Sequence, residues 1–157
     1  MSQDNYLLKL WAKANRLPAG KKWFSMIFAR KAPYFGTIKP LVREVRPNYC
    51  EVAFKKRKAV ENHIGTVHVI AICNALEMAM GAVAEATIPK HLRWIPRGME
   101  LQYTAKATSD IVAIAETSPE DWKPGDLAVR VRAERDDGTV VVEGVIMLYV
   151  SEKPPRS

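Results

Sequence analysis

Apolar positions change their spacing along the chain, and the changes divide it into elements. From residue 5 to 31 they recur at helical intervals in two pieces. Leu7, Leu8, Leu10 and Trp11 open one apolar face, which "LPAGKK" breaks at Pro18 and Gly20. Trp23, Phe24, Ile27 and Phe28 place a second face on one side of "KKWFSMIFARK". Basic residues flank this piece, which reads as an amphipathic helix folded onto its own domain. "APYFGTIKP" is a connector carrying Pro33, Gly36 and Pro40. "YCEVAF", Tyr49 to Phe54, is a short strand. A long apolar helix follows, with Ile72, Leu76, Met80 and Val83 on one stripe and Val69, Cys73 and Ala79 beside it.

Beyond the helix the period becomes two. "IPKHLRWIPRGM" reads as a proline-bearing loop, and four strands then succeed one another. In "MELQYTAKA", Met99, Leu101, Tyr103, Ala105 and Ala107 face one way. "IVAIAE" is short and apolar; "LAVRVRAE" sets Leu127, Val129, Val131 and Ala133 against Arg130, Arg132 and Glu134; "VVVEGVIMLYV" is last. Such alternation predicts half-buried antiparallel strands. "DDGT", Asp136 to Thr139, is a tight hairpin turn, "SPEDWKPGD" a longer loop, and "SEKPPRS" a frayed tail. Helix, strand, central helix and four strands predict an α+β fold in which an antiparallel sheet curls around one helix.

At 157 residues, with 48% apolar and 26% charged positions, the chain is long enough to bury one core. No apolar run is expected to cross a bilayer, which needs ~20 residues. The N-terminus shows no secretory pattern, so a cytoplasmic location is expected. Cys50 and Cys73 read as reduced thiols, Cys73 as a buried helix residue. The net charge of +7 and the pI near 9.5 favour an anionic partner. "KKRK", Lys55 to Lys58, is the densest basic run. No nucleic-acid reading motif accompanies the charge, so no nucleic-acid partner is expected.

The chemistry concentrates in "ENHIGTVHVIAICNALEMA", Glu61 to Ala79. A polar segment leads into an apolar helix that carries one carboxylate, Glu77. Glu77 shares a stripe with Ile70, Asn74 and Gly81. There it is either an exposed or ion-paired glutamate, or a partly desolvated one whose raised pKa suits a base or nucleophile. Gly65 permits an unusual backbone turn, and Thr66 is a candidate helix cap. Free N–H groups at such a helix start stabilise a developing oxyanion. Along one helix residues 69 and 77 lie about 12 Å apart. A symmetric dimer with antiparallel helices would bring one chain's first turn to the other's Glu77. His63 and His68 are five apart and lack a third ligand, so no metal site is expected. His68 reads first as a hydrogen-bonder at the helix start.

Asn62, Gly65, Thr66, His68 and Glu77 together resemble the signature of hotdog-fold thioesterases, particularly the phenylacetate-pathway type. That pattern runs N-x-x-G-T-x-H-G-G, with an Asp or Glu further along the central helix. The resemblance spans about residues 40 to 150. The chain is also similar to a small bacterial subgroup of poorly assigned function that carries extra N-terminal helices. It implies a single hotdog domain over residues 1–157, with 1–40 as a helical extension and 41–150 as the core.

The resemblance further implies a homodimer or homotetramer that hydrolyses acyl-CoA at a subunit interface, with no cofactor. The Val69 backbone N–H would polarise the thioester carbonyl. Glu77 of the other subunit would activate water or attack directly, and Asn62 would position water or the acyl group. His68 joins this set, with His63, Gly65 and Thr66 along the substrate. Lys55, Lys56, Arg57, Lys58, Arg93 and Arg97, with His91, are expected phosphate contacts. The pattern departs at its Gly-Gly, which is Val69-Ile70 here, so the backbone approach is narrower. The alternative is a non-catalytic hotdog protein that binds acyl-CoA or a fatty acyl group, with Glu77 structural.

Overall fold

The computed structural model describes residues 5–155. Two helices, α1 (Tyr6–Ala14) and α2 (Gly20–Lys31), precede a 3-10 turn at Pro33–Ile38. Strands β1 (Leu41–Arg46) and β2 (Tyr49–Phe54) follow, then α3 (Val69–Thr87). Four strands complete the chain: β3 (Leu92–Tyr103), β4 (Ile111–Glu116), β5 (Gly125–Arg135) and β6 (Val140–Glu152). All six strands form one antiparallel sheet in the order β1-β2-β4-β5-β6-β3. α3 lies against its inner face. Ile72, Leu76, Met80 and Val83 are all buried there, as their spacing predicts. Leu127, Val129, Val131 and Ala133 of β5 come from the other side, and Gly138 turns the β5–β6 hairpin at a φ of 79°.

Several local readings change. β1 is an additional strand. Its valines, Val42 and Val45, are both buried, but a register shift between Val42 and Glu44 places them three apart and hides the alternation. The proline-bearing stretch after α3, which reads as a loop, is mostly strand. β3 begins at Leu92, and the register shift between Pro96 and Gly98 accommodates the proline on an edge strand. β3 also stops at Tyr103 instead of reaching Ala107. Leu92 is buried, but most apolar positions of β3 are exposed, because β3 is the edge strand next to β6 and α3 packs mainly over β2 and β4. Ile95 is 58% exposed, Met99 41% and Tyr103 65%. Ser151 and Glu152, expected in the frayed tail, belong to β6; residues 156 and 157 of that tail lie outside the described residues.

On α2 the buried face is Phe24, Ser25, Phe28 and Ala29, with Trp23 turned outward. The buried hydroxyl of Ser25 donates to the Lys21 carbonyl at 2.6 Å and accepts the Val42 N–H at 2.8 Å, so α2 is tied to β1. Of the cysteines, Cys50 is the buried one and Cys73 is partly exposed. Burial pushes both thiols up, and the nearby Glu77 adds to this at Cys73. α3 also corrects the expectation that no segment has membrane-spanning character. Its 19 residues are long and apolar enough, with a mean hydropathy of 1.5, but 61% of that window is buried inside the fold. A helix enclosed by a sheet needs apolar residues on nearly every side.

Candidate functional site around the start of α3

Residues 61–67 form a tight loop that delivers the chain into α3. Glu61 bridges Val67, and the Asn62 N–H donates to the Thr66 carbonyl at 2.9 Å. The Asn62 side chain organises the turn: Oδ1 accepts from the N–H of Ile64 and of Thr66, and Nδ2 donates to the Thr66 hydroxyl at 2.8 Å. Gly65 turns here with φ of 76°, a conformation that favours glycine. Asn62 and Thr66 thus hold the loop, while His63 and Gly65 lie exposed at its tip.

His68, not Thr66, is the cap of α3. Its Nδ1 accepts the Ile70 N–H at 3.1 Å, which places the neutral ring's proton on Nε2. The Val69 N–H has no acceptor among the described residues. It is an orphan donor at the positive end of a 19-residue helix. Val69 is half-buried and Ile70 is 52% exposed. A cavity of about 430 Å³ opens beside this helix start, walled by His68, Ile70, Asn74, Tyr34, Thr37 and Glu61, among others.

Glu77, two turns further on, lines a different cavity of about 510 Å³. Its walls are Asn5, Leu7, Phe28 and Phe35 of the N-terminal segments, Gly81 and Glu85 of α3, and Trp94 and Pro96 of β3, among others. Glu77 is half-buried and makes no hydrogen bond or ion pair among the described residues. Its position therefore departs from that of an ion-paired surface glutamate. Within one protomer Glu77 faces its own cavity, whereas Val69 lines none of those described and only its neighbours His68 and Ile70 border the one at the helix start.

Asn74, which shares the Glu77 stripe, is a further candidate to which the sequence assigns no role. It is 5% exposed, and its Nδ2 donates to the Tyr34 carbonyl at 3.1 Å and to the Thr37 hydroxyl at 3.2 Å. Its Oδ1 is buried without a partner. The signal was a carboxamide on an apolar helix, one turn before Glu77.

Within one protomer the cations expected at phosphate lie apart. Arg93 donates to Ser151, and Arg97 pairs with Asp126 at 3.1 Å and lies over the Tyr149 ring. Both sit on β3, whereas Lys55 to Lys58 follow β2. β4, β5 and β6 separate these strands, a span of roughly 19 Å along the sheet. Lys56 is engaged with Glu61 at 2.6 Å, and that hydrogen bond holds the Glu61 carboxyl below its ordinary range. A lowered folded-state pKa contributes stability that is present above the unfolded value and is lost as pH falls through the folded one. In denaturant titrations wild type should therefore exceed Glu61→Gln in stability at neutral pH. The gap should close in acid; a gap that persists or widens there would refute the pairing.

Residues 20–150 match the family described as a domain of unknown function (DUF4442). No curated protein matches the chain. A structural-genomics crystal structure is 46% identical, with a TM-score of 0.82, covering 94% of this chain and 98% of its own. A Pseudomonas aeruginosa protein of unknown function, described as a probable thioesterase, is 18% identical with a TM-score of 0.75 over 87% of this chain and 97% of its own. A thioesterase family protein from Silicibacter pomeroyi is 14% identical with a TM-score of 0.69, over 87% of this chain and all of its own. At the last two identities the likeness speaks for the fold, and that fold is the hotdog. The chain belongs to the DUF4442 family, on a hotdog fold shared with thioesterase family proteins.

Proposed function

We propose that this protein is an acyl-CoA thioesterase whose active site is assembled between two subunits. The observation that carries the reading is Glu77, a half-buried carboxylate facing a cavity with no partner among the described residues. The unpaired Val69 N–H supplies the complementary group. In the reaction, water adds to the thioester carbonyl while Glu77 takes its proton, or the Glu77 carboxylate itself attacks and water then cleaves the acyl-enzyme anhydride. In either course the carbonyl oxygen becomes an oxyanion held by the Val69 N–H, and the C–S bond breaks to release the thiol.

Because the two groups lie about 12 Å apart along α3, one must come from each subunit. The open β3 edge, with Ile95, Met99 and Tyr103 exposed, is the surface we assign to that pairing. It also borders the Glu77 cavity through Trp94 and Pro96. Thiol release from acyl-CoAs of short, long and aryl type tests the proposal. Turnover on some member of the panel is expected. No turnover on any member by folded, dimeric protein would overturn it in favour of an acyl-binding role.

A further inference from the structure

The largest cavity among those described is neither of the two beside α3. It measures about 650 Å³ and lies between α2, the 3-10 turn Pro33–Ile38 and the outer face of the sheet at β1, β2 and β4. Met26, Ala29, Leu41, Ala53 and Val112 contribute to an apolar lining. Lys22, Arg30, Lys39, Arg43, Lys55 and Arg57 also border it, against two carboxylates, Asp110 and Asp136. None of the six cations forms an ion pair among the described residues. Arg57 is the best placed of them. One terminal nitrogen of its guanidinium donates to the Thr37 carbonyl at 2.7 Å, while its Nε–H is buried with no acceptor. A buried donor on a charged group is costly to leave unmade.

We propose that this cavity binds a single-chain amphiphile with an anionic head, a long-chain carboxylate being the simplest example. The tail would occupy the apolar interior, and a carboxylate oxygen would accept the orphan Nε–H of Arg57 among uncompensated cations. The volume falls within the ordinary range for small-molecule sites. A bare polyphosphate has no use for the apolar lining, and a neutral lipid has none for the cations. The class includes the acid that thioester hydrolysis would release, but the binding claim stands without that activity.

Calorimetric titration of the full chain with dodecanoate below its micelle concentration is the test. One saturable site is expected, with affinity falling about fourfold for each methylene removed down to octanoate. Arg57→Met should weaken binding by about tenfold. Gly36→Trp should abolish it, because Gly36 lines this cavity and not the two beside α3. A Cβ there meets nothing within 4 Å and the backbone is not left-handed, so the variant should fold, as circular dichroism will check. The proposal is overturned if dodecanoate does not saturate a site. It fails equally if both folded variants bind as wild type does, or if dodecyltrimethylammonium binds equally well. Displacement of dodecanoate by free CoA would assign the cavity to the thioester site and also overturn it. Hydrolysis is not read in this experiment, so its failure leaves the thioesterase proposal standing.

Discussion

Glu77→Gln is expected to lower thioester turnover by roughly a hundred- to ten-thousand-fold, the usual span for loss of a general base. The amide keeps the side chain's size and loses only its ability to take a proton or attack. Substrate binding should persist, so the loss falls on kcat. Glu77 has no partner among the described residues, so the unfolding free energy should move by no more than about 0.5 kcal/mol. Retained turnover in the variant would remove Glu77 from the chemistry.

Val69→Pro deletes the proposed oxyanion donor. Val69 is the first residue of α3, where proline is tolerated, and His68 already has the extended backbone (φ −65°, ψ 133°) that suits a residue before proline. A loss of about a hundred- to a thousandfold is expected. If each site takes Val69 from one subunit and Glu77 from the other, mixed dimers of the two variants contain one intact site. Statistical exchange should then restore about a quarter of wild-type sites. Exchange that restores nothing would place both groups within one subunit's own site, or neither in it.

The second large effect is expected at Gly144 on β6. Its φ is 155°, and a Cβ there would stand 2.0 Å from the Glu100 carbonyl oxygen of β3. Neither atom is on a flexible side chain, so Gly144→Ala must push the paired strands apart. We expect a loss on the order of 3 kcal/mol in denaturant unfolding. The proposed dimer should weaken with it, because β3 carries the edge assigned to pairing. Gly98→Ala, on β3 itself, is the control: its Cβ meets nothing within 4 Å and it should be nearly silent. If Gly144→Ala matches the control in both stability and sedimentation, the close approach does not hold β3 in place.

The elements legible in the residues alone are those whose local pattern and tertiary environment agree. The stripe of Ile72, Leu76, Met80 and Val83 could only be the buried face of a helix, and the alternation in β5 only a strand with one face buried. Glu77 was legible because a charge on an apolar helix needs a reason. Other features depend on contacts that local pattern cannot encode. β1 was hidden because its register shift breaks the period, and β3 because Pro96 reads as a breaker until an edge position makes it tolerable. Strand order alone separates Arg93 and Arg97 from Lys55 to Lys58. Asn74 meets the turn at Thr37 across 37 residues, and the cations around the largest cavity come from segments far apart along the chain. Such gatherings follow from which strands pair and which faces meet, and those are settled by long-range burial and hydrogen bonding rather than by neighbours in sequence.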